Sequence, residues 1–285
     1  MKKSLVKAPL VHAVLDLKFA ELPSLKNISE ELENILHDKM IEIGFPEIIR
    51  SKIEGFDVKF DTVTQSVTQE KHNTKRLLFR AAGERSIVEI SSSSIQLKAT
   101  KYSSFEDFYR LFKDVILVVR EFSKLDKAVV KALELRYINV IVPVKEYNLS
   151  DFVIENYLSP ALFGEFKLLQ GQKINVVETA VGQLIVNFAE IPTVERKVNQ
   201  ILPHDLMESD ENCTLIIEGQ TEWLNVISPT YGLLDIRHIH PFVGSPLFSI
   251  EKLDEKAQAL YQDVSDVFWA SLSEVALKEW EVIGE

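Results

Sequence analysis

The feature that most constrains the fold is a long apolar stretch in the middle of the chain, LELRYINVIVPV at residues 133–144. Successive side chains of a β-strand point to opposite faces of its sheet. One face of this stretch would carry Leu133, Leu135, Tyr137, Asn139 and Ile141, and the other Glu134, Arg136, Ile138, Val140 and Val142. Both faces are largely apolar, which is typical of a central strand covered on both sides.

The order of elements before this strand is repeated after it. The first series predicts a strand at 11–19, a helix at 27–43, strands at 55–62, 76–82, 86–91 and 95–101, and a helix at 105–122. The second predicts a strand at 133–144, a short helix at 149–158, strands at 173–180, 183–189, 214–223 and 233–240, and a helix at 250–272. We therefore expect an α+β fold of two similar antiparallel-sheet halves covered by helices, each running strand, helix, several strands, helix (β-α-β-β-β-α order in outline). This apparent internal duplication divides the chain into residues 1–131 and residues 132–285, the second part closing on a long amphipathic helix.

Short local patterns predict where some of these elements begin or turn. Gly83 and Glu84 separate two strand patterns and predict a turn. Ser103 and Glu106 have the spacing of a capping box at a helix start. Ser249 is expected to cap the last long helix, whereas residues 191–212 are polar and predict a loop or short helix.

Composition and charge limit the classes of protein to consider. No apolar run reaches the roughly 18–20 residues that a membrane span requires, so we expect no membrane association. The single cysteine, Cys213, excludes an intramolecular disulfide, and a cytoplasmic location is expected. Residues 1–132 hold 22 Lys/Arg and 19 Asp/Glu, whereas residues 133–285 hold 10 and 24. This asymmetry indicates either a surface for a partner or an acidic surface that aids solubility.

Arg136, Tyr137 and Asn139 are the candidate ligand-binding residues, because they lie in the strand that is expected to be most central. A buried arginine requires a carboxylate or a bound anion. The competing explanation is a structural ion pair with Glu134 or with another acid.

A second candidate is a basic segment that could contact nucleic acid. The segment from Lys71 to Arg85 contains Phe79, one acid, Glu84, and five basic residues: Lys71, Lys75, Arg76, Arg80 and Arg85. Basic and aromatic side chains on a strand face can bind nucleic acid. The acidity of the whole chain argues against this function, and a solvated hairpin is the alternative.

Other chemistry finds little support in the sequence. His238 and His240 would share one strand face, but Asp235 points to the opposite face, so no metal site is predicted. The serines at residues 91–94 lack the flanking glycines of a nucleophile elbow. No glycine-rich phosphate loop is present, so we expect no cofactor.

Three stretches resemble a family of uncharacterised, sporadically distributed prokaryotic proteins of about this length. The first is Pro9, Leu10, Val11, Ala13 and Phe19; the second is LRYIN at residues 135–139; the third is residues 87–108, which lead into a helix. The last strand departs from the family pattern by carrying histidines. The resemblance implies no catalytic residues, because no activity is established for that family.

We therefore expect a non-catalytic cytoplasmic binding or protein-interaction module, with a protein partner or a homo-oligomer and no nucleic acid. The alternative is a small-ligand-binding protein, or an enzyme acting on an anionic metabolite, near Arg136 and Asn139. Whether the protein is an enzyme is left open.

Overall fold

The computed structural model describes residues 3–61, 66–160 and 169–284. The first part of the chain contains β1 (Ser4–Leu5), β2 (Leu10–Phe19), α1 (Pro23–Lys26), α2 (Glu30–Glu42), β3 (Glu47–Asp61), β4 (Ser66–Arg80), β5 (Ser86–Ile90), β6 (Ser94–Ala99) and α3 (Phe105–Phe122). The second contains β7 (Val130–Ile141), β8 (Gly171–Glu178), β9 (Gln183–Pro192), β10 (Thr230–Pro241), α4 (Ile250–Ala270), α5 (Glu274–Glu279) and β11 (Val282–Ile283).

The architecture is a mixed α+β fold around a nine-stranded antiparallel sheet, as the sequence predicts in outline. The strand order is β3-β4-β5-β6-β2-β7-β10-β9-β8, and a separate two-stranded ribbon pairs β1 with β11. The two parts of the chain meet where β2 pairs with β7, with Leu15 opposite Leu135. One continuous sheet therefore spans both parts of the chain.

Strand β7 lies between β2 and β10, and its residues from Leu133 to Ile141 are buried on both faces. Its odd-numbered side chains face α3 and α4, and they join the largest apolar cluster. Its even-numbered residues Ile138 and Val140 join a second cluster with Trp223 and Tyr231. We call these the helix face and the loop face, because residues 193–229, which contain only short 3-10 turns, cover the second one.

Helices α3 and α4 cover the helix face through apolar stripes at helical spacing. Ser104 caps α3 by accepting from the Asp107 amide at 3.1 Å, one residue after the predicted cap, while Ser103 donates to the Asp107 carboxylate. Ser249 caps α4 as predicted, accepting from the Lys252 amide at 3.2 Å. No helix in the described ranges has the length and apolar character to cross a bilayer.

Two predicted elements are wrong. Residues 214–223 form an extended segment over the loop face instead of a strand, and only its end is a 3-10 turn at Thr221–Leu224. Its inward residues Leu215 and Ile217 do alternate with exposed ones, so the burial pattern is strand-like while the backbone has no ladder. Residues 149–158 form two 3-10 turns, Leu149–Asp151 and Glu155–Tyr157, instead of a helix, because Val153 between them bridges to Leu272 in extended conformation.

The predicted turn at Gly83 and Glu84 is confirmed. It joins β4 to β5, and the two residues have φ of 82° and 57°. Positive φ is readily adopted by glycine because it has no Cβ.

Replacing Leu135 with alanine should lower the free energy of unfolding by about 2–5 kcal/mol, because the side chain is fully buried in the largest cluster. Since both parts of the chain contribute to that cluster, tryptophan fluorescence and circular dichroism should report one shared denaturant transition. The control Leu224→Ala, at a side chain 67% exposed, should change stability by less than about 0.5 kcal/mol. Two separate transitions would contradict the shared core.

Candidate functional site

The three candidate ligand-binding residues do not form one site. Tyr137 and Asn139 lie on the helix face, whereas Arg136 lies on the loop face, because neighbouring strand residues point in opposite directions. The two faces must therefore be considered separately.

Arg136 is held by two carboxylates. Its Nε and one terminal nitrogen donate to Asp235 at 2.9 and 2.7 Å, and its terminal nitrogens donate to Asp205 at 2.6 and 3.0 Å. Burial opposes the charged form, but these carboxylates outweigh it and raise the pKa of Arg136. The arginine thus joins the sheet to residues 193–229, which we call the covering segment. Four of its N–H groups already donate hydrogen bonds to carboxylates. Of the partners considered from the sequence, Glu134 pairs with Arg237 at 2.7 Å, and other acids, Asp205 and Asp235, pair with Arg136.

Part of the predicted basic segment also faces the covering segment. Arg76 donates to Glu89 at 3.1 Å and to Glu208 at 2.8 Å, and Lys98 contacts the same two carboxylates. These groups line a cavity of about 530 Å³. Because the cations and anions within it neutralise one another, the arrangement fits anchorage of the covering segment better than capture of an external anion.

The other basic residues whose side chains are described do not form one cationic surface. Arg80 pairs with Glu47 at 2.8 Å, and Arg85 pairs with Glu218 at 2.5 Å. Lys75 is exposed, and the side chain of Lys71 lies outside the described part. Arg76 and Arg80 are thus engaged by acids, which leaves little free positive charge for phosphate contacts.

The ion pairs of Arg136, Arg76 and Lys98 form what we call the buried charge layer. Two titratable groups, His12 and Asp16, are buried near it on the loop face. Burial, together with the charges of Lys98 and Arg136, lowers the pKa of His12 to about 3. Burial raises the pKa of Asp16 to about 6; Lys18 opposes this shift, and the facing Glu134 adds to it. His12 is therefore neutral near pH 7, whereas Asp16 changes its charge at mildly acidic pH.

The two histidines of β10 are structural on the helix face. His238 is fully buried, with Nε2 lying 3.1 Å from the Thr179 hydroxyl and Nδ1 3.4 Å from the Leu260 carbonyl. His240 stacks edge-on against Phe242 at 4.7 Å. Within the described ranges, no group of three or more His, Cys, Asp or Glu side chains could hold a metal ion.

Tyr137 and Asn139 line an open cleft of about 240 Å³ on the helix face. The hydroxyls of Tyr102 and Tyr137 form a hydrogen bond of 2.7 Å, and their rings meet edge-on at 5.4 Å. Asn139, which is 2% exposed, is oriented by donating to the Leu234 carbonyl at 3.3 Å. We call this the tyrosine cleft. Its other lining residues are Lys3, Ser4, Leu5, Ala8, Leu10, Ser103, Ser104, Phe105, Glu106, Tyr261, Ser265, Phe268 and Trp269.

The walls of the tyrosine cleft are aromatic. Phe105, in the first turn of α3, stacks on Tyr261 of α4 with ring centroids 4.2 Å apart. Phe268 and Trp269 meet edge-on at 5.4 Å farther along α4. Burial raises the pKa of both Tyr102 and Tyr137, so both hydroxyls stay protonated at neutral pH. The cleft therefore combines aromatic walls with neutral hydroxyl and amide groups, and the opposite charges of Lys3 and Glu106 on its lining offset each other.

Sequence reasoning found Tyr137 and Asn139 but missed the α4 wall. Tyr261, Ser265 and Phe268 follow one another at four- and three-residue spacing, and Trp269 lies four residues after Ser265, beside the buried stripe of α4. A second apolar stripe of this kind is the sequence signal that could have indicated that another side of α4 lines a cleft.

Comparison with protein-family models gives no match for this chain, and no curated protein matches it significantly. The resemblance to the sporadically distributed prokaryotic family therefore stays a prediction.

Replacing Asp16 with asparagine should change the pH dependence of stability. The folded protein binds the Asp16 proton more tightly than the unfolded chain, whose pKa is near 3.8. This stabilisation is complete below pH 3.8 and is lost as the pH rises through about 6. The uncharged variant keeps it, and should therefore be more stable than wild type by about 1–3 kcal/mol at pH 7.5, with no difference at pH 3.5.

Denaturant titrations across this pH range would measure the difference. Asp38→Asn, at an exposed carboxylate of α2, serves as the control and should change stability by less than about 0.5 kcal/mol. A difference between wild type and Asp16→Asn that does not vary with pH would contradict this prediction, because it would show that folding leaves the pKa of Asp16 unchanged.

Proposed function

We propose that this protein is a non-catalytic binding protein that holds a small, neutral, ring-containing molecule in the tyrosine cleft. The observation that carries the proposal is the hydrogen-bonded pair of Tyr102 and Tyr137 hydroxyls in a cleft with aromatic walls. Ligand sites typically combine apolar, aromatic linings with a few placed polar groups.

The size and charge of the cleft support this ligand class. A volume of about 240 Å³ equals about eight waters at about 30 Å³ each, which suits a metabolite smaller than a typical drug. Aromatic rings favour offset or edge-on contacts with another ring. The protonated tyrosines and Asn139 would then offer hydrogen bonds to one polar substituent of that ring.

A catalytic role is less well supported at this cleft. A general base acts best when its pKa lies near the working pH. Burial moves the pKa of Tyr102 and Tyr137 away from neutrality. The alternative of an anionic metabolite bound by Arg136 is also weaker, because Asp205 and Asp235 already occupy that guanidinium.

We also propose that residues 1–131 and 132–285 arose by duplication. In support, β2 pairs with β6 and β7 pairs with β10, so within the nine-stranded sheet each part pairs its first strand with its last. Each last strand is then followed by a long helix, α3 or α4. The parts differ because the second has no α-helix between β7 and β8 among the described residues. A cytoplasmic prokaryotic setting remains an expectation.

Titration with 4-methylphenol and with indole tests the proposed ligand class. Both probes should give saturable heats of binding in isothermal titration calorimetry and should raise the melting temperature. Tyr102→Phe should weaken 4-methylphenol binding by about three- to tenfold, the value of roughly one neutral hydrogen bond.

Tyr157→Phe is the matched control, because its hydroxyl contacts Ser271 at 3.0 Å and does not line the cleft. This variant should bind both probes as the wild type does. Ser265→Phe should fill the cleft and abolish binding. The proposal fails if neither probe saturates, or if Tyr102→Phe and Tyr157→Phe bind 4-methylphenol equally.

A further inference from the structure

Strand β8 forms one edge of the nine-stranded sheet and pairs only with β9 among the described strands. Three of its apolar side chains are about half exposed to solvent: Ile174, Val176 and Val177 are 57%, 54% and 46% exposed. Lys173 is the only charged residue of the strand before Glu178 at its end. Exposed edge strands with apolar side chains are ready to pair with another strand, because their outward N–H and C=O groups are unused.

The hairpin turn shows which backbone groups of β8 point outward. The Thr179 amide donates to the Gly182 carbonyl at 2.8 Å, so these two residues form a hydrogen-bonded pair at the hairpin end. Bonded and non-bonded pairs alternate along an antiparallel ladder. Residues 173, 175 and 177 therefore bond to β9. The residues that direct N–H and C=O away from the sheet are Gln172, Ile174, Val176 and Glu178.

We propose that a second copy of this chain pairs with β8 in antiparallel orientation, with the two-fold axis passing at Asn175. This register places Ile174 opposite the partner's Val176 and Gln172 opposite the partner's Glu178. All four outward-facing residues then pair, which forms about eight backbone hydrogen bonds at two for each bonded pair. At these outward-bonding positions apolar side chains meet apolar ones and an amide meets a carboxylate, whereas at the positions between them Lys173 lies opposite the partner's Val177 and Asn175 lies opposite its own copy.

Neighbouring registers are less favourable. If the second copy is shifted by one residue, residues whose N–H and C=O groups point outward lie opposite residues whose N–H and C=O groups already bond to β9. A shift that places the axis at Ile174 opposes Gln172 to the partner's Val176 and leaves Glu178 without a partner within the strand. The sequence of β8 therefore fits its own copy in one register, which distinguishes a second copy from an unrelated strand. This pairing is independent of the ligand proposed for the tyrosine cleft.

Light scattering after size exclusion, over a wide range of protein concentrations, tests the dimer. Wild type should show twice the 32.5 kDa of one chain at high concentration. Ile174→Lys should reduce the mass to that of one chain, because it sets a lysine against the partner's Val176 on both sides. The matched control Ile41→Lys lies on α2, where Ile41 is 46% exposed, and should remain dimeric.

Cysteine variants test the register without depending on the fold of Ile174→Lys. Under mild oxidation, Asn175→Cys should form a covalent dimer, because opposed non-bonded Cα atoms lie about 4.5 Å apart. Val177→Cys should not, because its two copies would be four residues apart along the strand, or about 13 Å at about 3.3 Å per residue. Wild type, whose Cys213 is buried, should give no covalent dimer.

A single-chain mass for wild type at every concentration would overturn the proposal and leave this edge for a strand of a different protein. Cross-linking through residue 177 instead of residue 175 would also overturn it, because another register would then be used. A concentration-dependent dimer that Ile174→Lys abolishes and Asn175→Cys traps would support it.

Discussion

The antiparallel pairing of β2 with β7 is the interaction on which the rest of the structure depends. It joins strands from both parts of the chain into one sheet, and it sets Leu15 against Leu135 and Ala13 against Tyr137 in the largest core. Since side chains alternate along both strands, this register also assigns every neighbouring residue to the helix face or to the loop face. The tyrosine cleft and the buried charge layer are consequences of that assignment.

The loop face is organised by ion pairs instead of regular structure. The segment of residues 193–229 contains only short 3-10 turns, yet Asp205 and Glu208 bind Arg136, Arg76 and Lys98 on the sheet. The cations of these pairs are buried or nearly so, whereas Asp205 is 60% exposed. Such pairs add little net stability over apolar packing, but removing the carboxylate leaves an uncompensated cation. Their main effect here is to define where an irregular segment lies against a flat sheet.

The sequence predicted the elements whose signals are local. Strand β7 was evident from two-sided alternation, and the start of α4 from Ser249. Residues 214–223 were wrongly predicted to be a strand, because buried and exposed side chains alternate there although the segment lies over the sheet. Alternation shows which face a side chain occupies, but it does not show that the backbone pairs with another strand.

The candidate site was predicted only in part, for a related reason. Tyr137 and Asn139 belong to the central strand, where the apolar pattern directs attention. Tyr102 and Tyr261 are distant from them in sequence, and only the packing of α3 and α4 on β7 brings them together. The acids that bind Arg136 come from residues 69 and 99 positions away, so no local pattern could identify them. Local spacing predicts which face a residue occupies, but not its partner across the fold.

The adjacency of Arg136 and Tyr137 in β7 has a consequence for how this gene can change. Inserting or deleting one residue within β7 would exchange the two faces, placing the guanidinium beside the ring of Tyr102 on the apolar helix face and the phenol among carboxylates. Even a conservative length change there would therefore be more damaging than most single replacements. Irregular pairing within β2 occurs only near its ends, between Leu10 and His12 and between Lys18 and Phe19, where a change in length is most readily absorbed.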